Sequence, residues 1–135
     1  MHAHVVARRI AGYSHEVDLG DGREIVVDEP ASEGGTDTGP RPSQLLASSL
    51  AGCTAITIEI YAERKGWELP TLEVAVDMRS DADLMPTNFT VEVALPPGLD
   101  EEQRRKLMVI AAKCPIHKLL EQGAEIAIAE RAPAL

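Results

Sequence analysis

From Ser43 to Ile58 the chain carries no charged side chain, and the helical pattern continues to Lys65. Leu45, Leu46, Leu50, Ile56, Ile58 and Ile60 spread round this helix instead of keeping to one stripe, which predicts burial on most of its sides. Pro42 or Ser43 suits its first turn, while Lys65 and Gly66 suit its end, as a cation and a residue free to adopt the left-handed cap. At about 1.5 Å per residue such a helix is about 34 Å long, the width of a small domain. The uncharged run falls short of a membrane span and is diluted by Ser43, Gln44, Ser48, Ser49, Thr54 and Thr57, so the expectation is a core helix. Ala47, Ala51 and Ala55 form one line of small residues and Ser48 with Gly52 the next, which lets another helix approach closely. Few other apolar helices are on offer in one chain, so a second copy is the expected neighbour, making a homodimer.

Composition narrows the partners. At 135 residues the chain is expected to be one domain with a real core, filled by aliphatic residues because Tyr13, Tyr61, Trp67 and Phe89 are its only aromatics. A net charge of −9 argues against nucleic acid and against anionic membranes. The one basic run, Arg104-Arg105-Lys106, follows Asp100-Glu101-Glu102 and reads as pairing within a helix. The opening residues show no apolar leader, so a cytoplasmic setting is expected, where two cysteines are working thiols more often than a staple.

In chain order, strands are predicted over His4–Ile10, Ser14–Leu19 and Arg23–Val27, the last two joined through Asp21-Gly22. A long loop over Asp28–Arg41 delivers the central helix and hints at a functional or interface role. Beyond Pro70, Thr71–Arg79 alternates as a half-buried strand, and a polar loop through Pro86 leads to its partner over Phe89–Leu95. Asp100 and Gln103 form a capping box for a helix whose wet face pairs Glu101 with Arg105 and Glu102 with Lys106, with Leu107, Ile110 and Ala111 inward. Cys114-Pro115 opens a short helix closed by Gly123, and Ala124–Glu130 alternates as a last strand. The result is an α+β domain over residues 1–135: a hairpin region to residue 39, a central helix over 42–66, and β-β-α-α-β over 70–131. An antiparallel sheet wraps the central helix.

The two cysteines sit in contrasting places. Cys53 lies about three turns into an apolar helix, where burial raises a thiol pKa and the helix N-terminus is too distant to help. Its plain reading is a small core residue, and reactivity would require a cation or donor from a loop or another subunit. Cys114 stands before Pro115 at a helix start, where free amides favour a thiolate, with His117 three residues on. On local setting alone Cys114 is the better nucleophile. Cys114 and His117 supply only half of a metal site, and no second Cys/His pair completes it.

Several stretches resemble the OsmC-like branch of the OsmC/Ohr family, which takes in osmotically inducible protein C and organic hydroperoxide resistance protein. They are Asp28-Glu29-Pro30, Gly34-Gly35-Thr36-Asp37-Thr38-Gly39-Pro40, Leu45 through Thr54, Tyr61 through Trp67, and Cys114-Pro115-Ile116-His117. The likeness runs from about Asp28 to Gly123 with its motifs in order. It implies an intertwined homodimer, two long helices enclosed by sheet, and sites at the subunit interface. It assigns the reactive thiol to Cys53 and the resolving thiol to Cys114, reversing the local ranking. The implied chemistry is reduction of an organic hydroperoxide through a Cys53 sulfenic acid, condensation with Cys114, and reduction of the disulfide by an external dithiol or lipoyl-type partner, with no metal or bound cofactor.

Peroxidatic relatives pair an arginine with a glutamate beside the reactive thiol. Arg23 is the candidate arginine here and Arg41 the second; where relatives carry the glutamate, this chain reads Ser43-Gln44, a departure. Gln44 can hold an arginine by its carbonyl but supplies no charge. That departure keeps a second function in view, a related dimer acting as a small apolar-ligand binding or redox-sensing protein. A third reading is a Cys-His hydrolase built on Cys114 and His117.

Overall fold

The computed structural model describes residues 1–80 and 85–133. The chain forms strands β1 (Val6–Ala11), β2 (Ser14–Asp18) and β3 (Glu24–Val27), a 3-10 turn (Ala31–Glu33), and the long helix α1 (Pro42–Lys65). Strands β4 (Glu73–Ser80) and β5 (Pro86–Ala94) follow, then helices α2 (Glu101–Ala111) and α3 (Pro115–Gln122). It divides into two compact units, Met1–Ala51 with Val76–Val91, and Gly52–Ala75 with the described residues from Glu92 on.

The α+β class stands, but the one sheet expected from the sequence is two antiparallel sheets among the described residues, ordered β1-β2-β3 and β4-β5. Once β3 leaves into the loop and α1, the later strands have only each other as near neighbours in sequence. In the first sheet Arg9 pairs with His15 and Ala11 with Ser14, the register shifting between Arg9 and Ala11 just before the Gly12-Tyr13 turn; His15 pairs with Val27 and Asp18 with Glu24. The β2–β3 turn closes by Leu19 N–H to the Arg23 carbonyl at 2.9 Å, with the Asp18 and Asp21 side chains accepting the Gly20 and Arg23 amides. The polar loop expected before Pro86 falls largely on residues 81–84, outside the described residues.

In the first unit the loop after β3 is organised by Asp28. Its Oδ2 accepts both the hydroxyls and the amides of Thr36 and Thr38, and its Oδ1 accepts the Glu29 amide. Those donors hold the buried carboxyl far below the usual carboxylate range, the Thr38 hydroxyl contributing most and the Thr36 hydroxyl next. Gly35 is required here, because a Cβ on it would lie 1.9 Å from the Glu29 carbonyl oxygen.

Along α1 the buried residues are Leu50, Thr54, Ile58 and Ala62, a single line four apart, so the expected burial on most sides is not met within one chain. Ile56 and Ile60 remain 57% and 45% exposed, and a Cβ added to Gly52 meets nothing within 4 Å. In the second unit Ile58 and Ala62 pack with Leu107 and Ala111 of α2, flanked by Tyr61, Trp67, Leu69, Leu72, Val93, Leu95 and Leu99. Asp100 and Gln103 form the expected capping box, each side chain accepting the other's amide at 2.8 and 2.9 Å. On the wet face of α2, Glu102 holds both Arg105 and Lys106, where the sequence pattern assigned Arg105 to Glu101. The strand expected over Ala124–Glu130 does not form: its alternation suits a strand, but no backbone among the described residues pairs with it, and Ile126 and Ile128 stand 90% and 98% exposed.

Candidate functional site

The second unit brings the two cysteines together. Pro115 cannot continue the chain's hydrogen bonding, so α2 stops and Cys114 becomes the N-cap of α3, with extended φ and ψ of −64° and 142°. In that conformation the fully buried Cys114 Sγ accepts the His117 amide at 3.2 Å. Thr54 of α1, also buried, aims its hydroxyl at the same sulfur from 3.8 Å. Because Thr54 follows Cys53 directly, this contact sets Cys53 against the start of α3. Cys53 itself is half-buried. Both cysteines are free thiols.

Their environments push the two thiols apart. Burial pushes the Cys53 thiol up; the Ile116 amide opposes this, and the neighbouring Cys114 sulfur adds to the rise. Burial also works to raise Cys114, but the His117 amide, the Cys53 thiol, the Thr54 hydroxyl and the Ile116 amide outweigh it, and Cys114 titrates below an ordinary thiol. No cation is among the groups that shift Cys53 most. His117 turns its Nε2 to Glu121 Oε1 at 3.2 Å, a pair along α3.

The remaining sequence candidates lie in the first unit. Arg23 is an exposed turn residue, its guanidinium Nε 3.5 Å from Asp21 Oδ2. Gln44 uses its carbonyl at the entry to α1, where Oε1 accepts the Arg41 amide at 3.0 Å. The Arg41 guanidinium is held instead by two carboxylates of the preceding loop, Glu29 (Nε to Oε2, 3.3 Å) and Glu33. Sequence reasoning missed these glutamates as partners of Arg41, and it missed Thr54 and Thr57. The threonines were legible in principle, as hydroxyl residues one and four places after Cys53. The same unit contains a hollow of about 370 Å3 with apolar walls from Ala7, Val17, Val27 and Pro42, and Tyr13, His15 and Glu29 beside them. Among the described residues no cluster of three or more metal-binding side chains occurs.

The second unit of this α+β protein thus holds both free thiols, one within α1 and one at the head of α3. The OsmC-like protein family model matches residues 35–129, and the chain belongs to that family. Similar solved structures include an OsmC-like protein from Mycoplasma pneumoniae (20% identity, 91% of this chain and 89% of that one, TM-score 0.71). Another is an organic hydroperoxide resistance protein, OsmC, from Legionella pneumophila (22%, 90% of each chain, TM-score 0.65). The organic hydroperoxide resistance protein OhrB of Bacillus subtilis is 27% identical over 91% of this chain and 93% of its own, with a TM-score of 0.59. No curated protein matches the chain.

Proposed function

We propose that this protein is a thiol-dependent peroxidase that reduces organic hydroperoxides in the cytoplasm, with Cys53 as the nucleophile and Cys114 as the resolving thiol. The observation that carries this reading is the pair of free thiols within one compact unit, with Thr54, the residue next to Cys53, aiming its hydroxyl at the buried Cys114 sulfur from 3.8 Å. Cys53 attacks the peroxide, becomes a sulfenic acid and releases an alcohol. Cys114 then displaces the hydroxyl to form a disulfide, and an external dithiol, such as a lipoyl-type reductant, restores both thiols. Family membership and the names of the Legionella and Bacillus relatives support the substrate class.

The working form in this reading is an intertwined homodimer. Isolated, α1 is long and apolar enough by length and composition to cross a membrane. A second copy covers its exposed Ile56 and Ile60, approaches at Gly52, and supplies a strand edge to the unpaired residues 124–130. In this reading Arg23 of the second copy supplies the cation beside Cys53, since Arg41 is already held by Glu29 and Glu33.

Consumption of cumene hydroperoxide with a dithiol tests the reading. The wild type turns over and Cys53→Ser does not; equal slow rates for both remove Cys53 from the mechanism. The hollow in the first unit favours a second reading, a binding protein for a small apolar ligand, since its volume falls in the range of ligand pockets. That reading predicts saturable binding of an apolar probe that survives loss of both thiols.

A further inference from the structure

Thr54 puts a hydroxyl on an otherwise apolar line. It lies between Leu50 and Ile58 on the buried side of α1 and is itself 1% exposed. A hydroxyl taken out of water there costs free energy unless it finds a partner. The usual recourse on a helix is the carbonyl one turn back, as Ser48 shows with Gln44 at 2.7 Å. Thr54 instead directs its O–H to the Cys114 sulfur across 3.8 Å, from α1 to the head of α3. The sulfur's other donor, the His117 amide at 3.2 Å, is internal to α3 and sets the rotamer of Cys114. Of the two contacts, the hydroxyl is the one that fixes this sulfur relative to α1, one residue along from Cys53. Sulfur is a weak acceptor, so the bond adds little to stability. What it specifies is a place.

We propose that Thr54 is the positioning residue of the resolving step, its hydroxyl holding the Cys114 sulfur where it meets Cys53 once that thiol has been oxidised. This rests on the peroxidase reading. In that step Cys114 attacks the sulfenic sulfur of Cys53. An S–S bond forms, the S–O bond breaks, and the hydroxyl leaves as water with the Cys114 proton. The sulfenic sulfur is reduced and the Cys114 sulfur oxidised, both to the level of a disulfide. Cys114 is fully buried and cannot search for its target from solvent, so a contact that holds it in place stands in for that search. When closure is slow, the sulfenic acid meets a second hydroperoxide, which gives up one more oxygen, leaves as an alcohol and carries Cys53 to the sulfinic level. Holding the Cys114 sulfur ready therefore also protects Cys53 from overoxidation.

Two variants separate the hydroxyl from the shape of the side chain. Thr54→Val keeps the branch and the volume and loses the donor, while Thr54→Ser keeps the donor and loses a methyl. In the reduced full-length protein, diamide closes the disulfide without any peroxide, taking the two thiol hydrogens and becoming a hydrazine. Thr54→Val closes about tenfold more slowly than wild type, and Thr54→Ser stays within about threefold of it. Equal rates for Thr54→Val and wild type, faster closure in Thr54→Val, or equal slowing in both variants overturns the proposal.

Cumene hydroperoxide gives the second readout. Dimedone trapping and intact mass show the Cys53 sulfenic acid outlasting that of the wild type in Thr54→Val, with more sulfinic product, and Thr54→Ser reverses both. A general loosening of the fold would slow the first oxidation and the closure alike, and that result also overturns the proposal. If the wild type leaves cumene hydroperoxide untouched, the peroxidase reading falls, while the diamide rates still decide whether Thr54 places the Cys114 sulfur.

Discussion

Leu107→Ala asks whether the packing behind the thiols is what holds them. Leu107 is fully buried on α2 against Ile58, Ala62 and Ala111, with Ile58 one turn beyond Thr54 and Ala111 three residues before Cys114. Truncation removes three carbons, about 2.4 kcal/mol at roughly 0.8 kcal/mol each. The cavity left behind brings the total to about 3–4 kcal/mol, within the usual range for buried leucine. With a urea m-value of about 2 kcal/mol/M for a domain of this size, the midpoint falls by about 1.5–2 M at unchanged m. The next residue, Met108, is half-exposed, so Met108→Ala shifts stability by no more than about 0.5 kcal/mol, or about 0.25 M. Both variants are compared at one protein concentration, because association shifts apparent stability. The structure also ties this cluster to chemistry: Leu107→Ala slows diamide-driven formation of the Cys53–Cys114 disulfide, and Met108→Ala does not. Equal midpoint shifts for the two variants, or a Leu107→Ala midpoint within about 0.3 M of wild type, would refute the assignment of the core.

Two further outcomes are expected. Because the Asp28 carboxyl in the fold titrates well below its ordinary value of 3.8, its stabilisation is complete above that value and is lost as pH falls through it toward the lower folded value. Amide protection over residues 28–38, taken against intrinsic exchange at each pH, therefore falls below about pH 4 in the wild type, while Asp28→Asn is already poorly protected at neutral pH and lacks that acid limb. Ile126→Asp with Ile128→Asp leaves the fold of each chain intact, since both side chains are nearly fully exposed, and shifts the protein to monomer in light scattering; a retained dimer would show that this segment does not bridge subunits.

Local chemistry made much of this structure legible. The capping box at Asp100 and Gln103, the Asp21-Gly22 turn and the Cys114-Pro115 helix start each depend on a few neighbouring residues, and each stands where the sequence put it. What failed depended on partners distant in the chain. Apolar residues spread round α1 showed that it must be covered, but not by what; within one chain only the line through Leu50, Thr54, Ile58 and Ala62 is buried. Alternation over 124–130 likewise shows two faces without showing the strand that pairs with them. The exchange of Glu101 for Glu102 as the partner of Arg105 is of another kind, since spacings of three and four both place a carboxylate within reach.

The site divides along the same line. Local setting ranked Cys114 above Cys53 as a thiolate, and the buried Cys114 sulfur does take the His117 amide and the Thr54 hydroxyl, while resemblance made Cys53 the nucleophile. Gln44 has a structural task of its own. Lacking charge, its carbonyl caps the entry to α1, and Arg41 finds its counter-charges in Glu29 and Glu33. An arginine already shared by two carboxylates has little field left for a third anion, whereas an amide and a hydroxyl fixed on Cys114 need no cation to hold a thiolate. The donors that folding itself places at Cys114, the His117 amide at the head of α3 and the Thr54 hydroxyl of α1, are local to that sulfur and draw on no charged side chain.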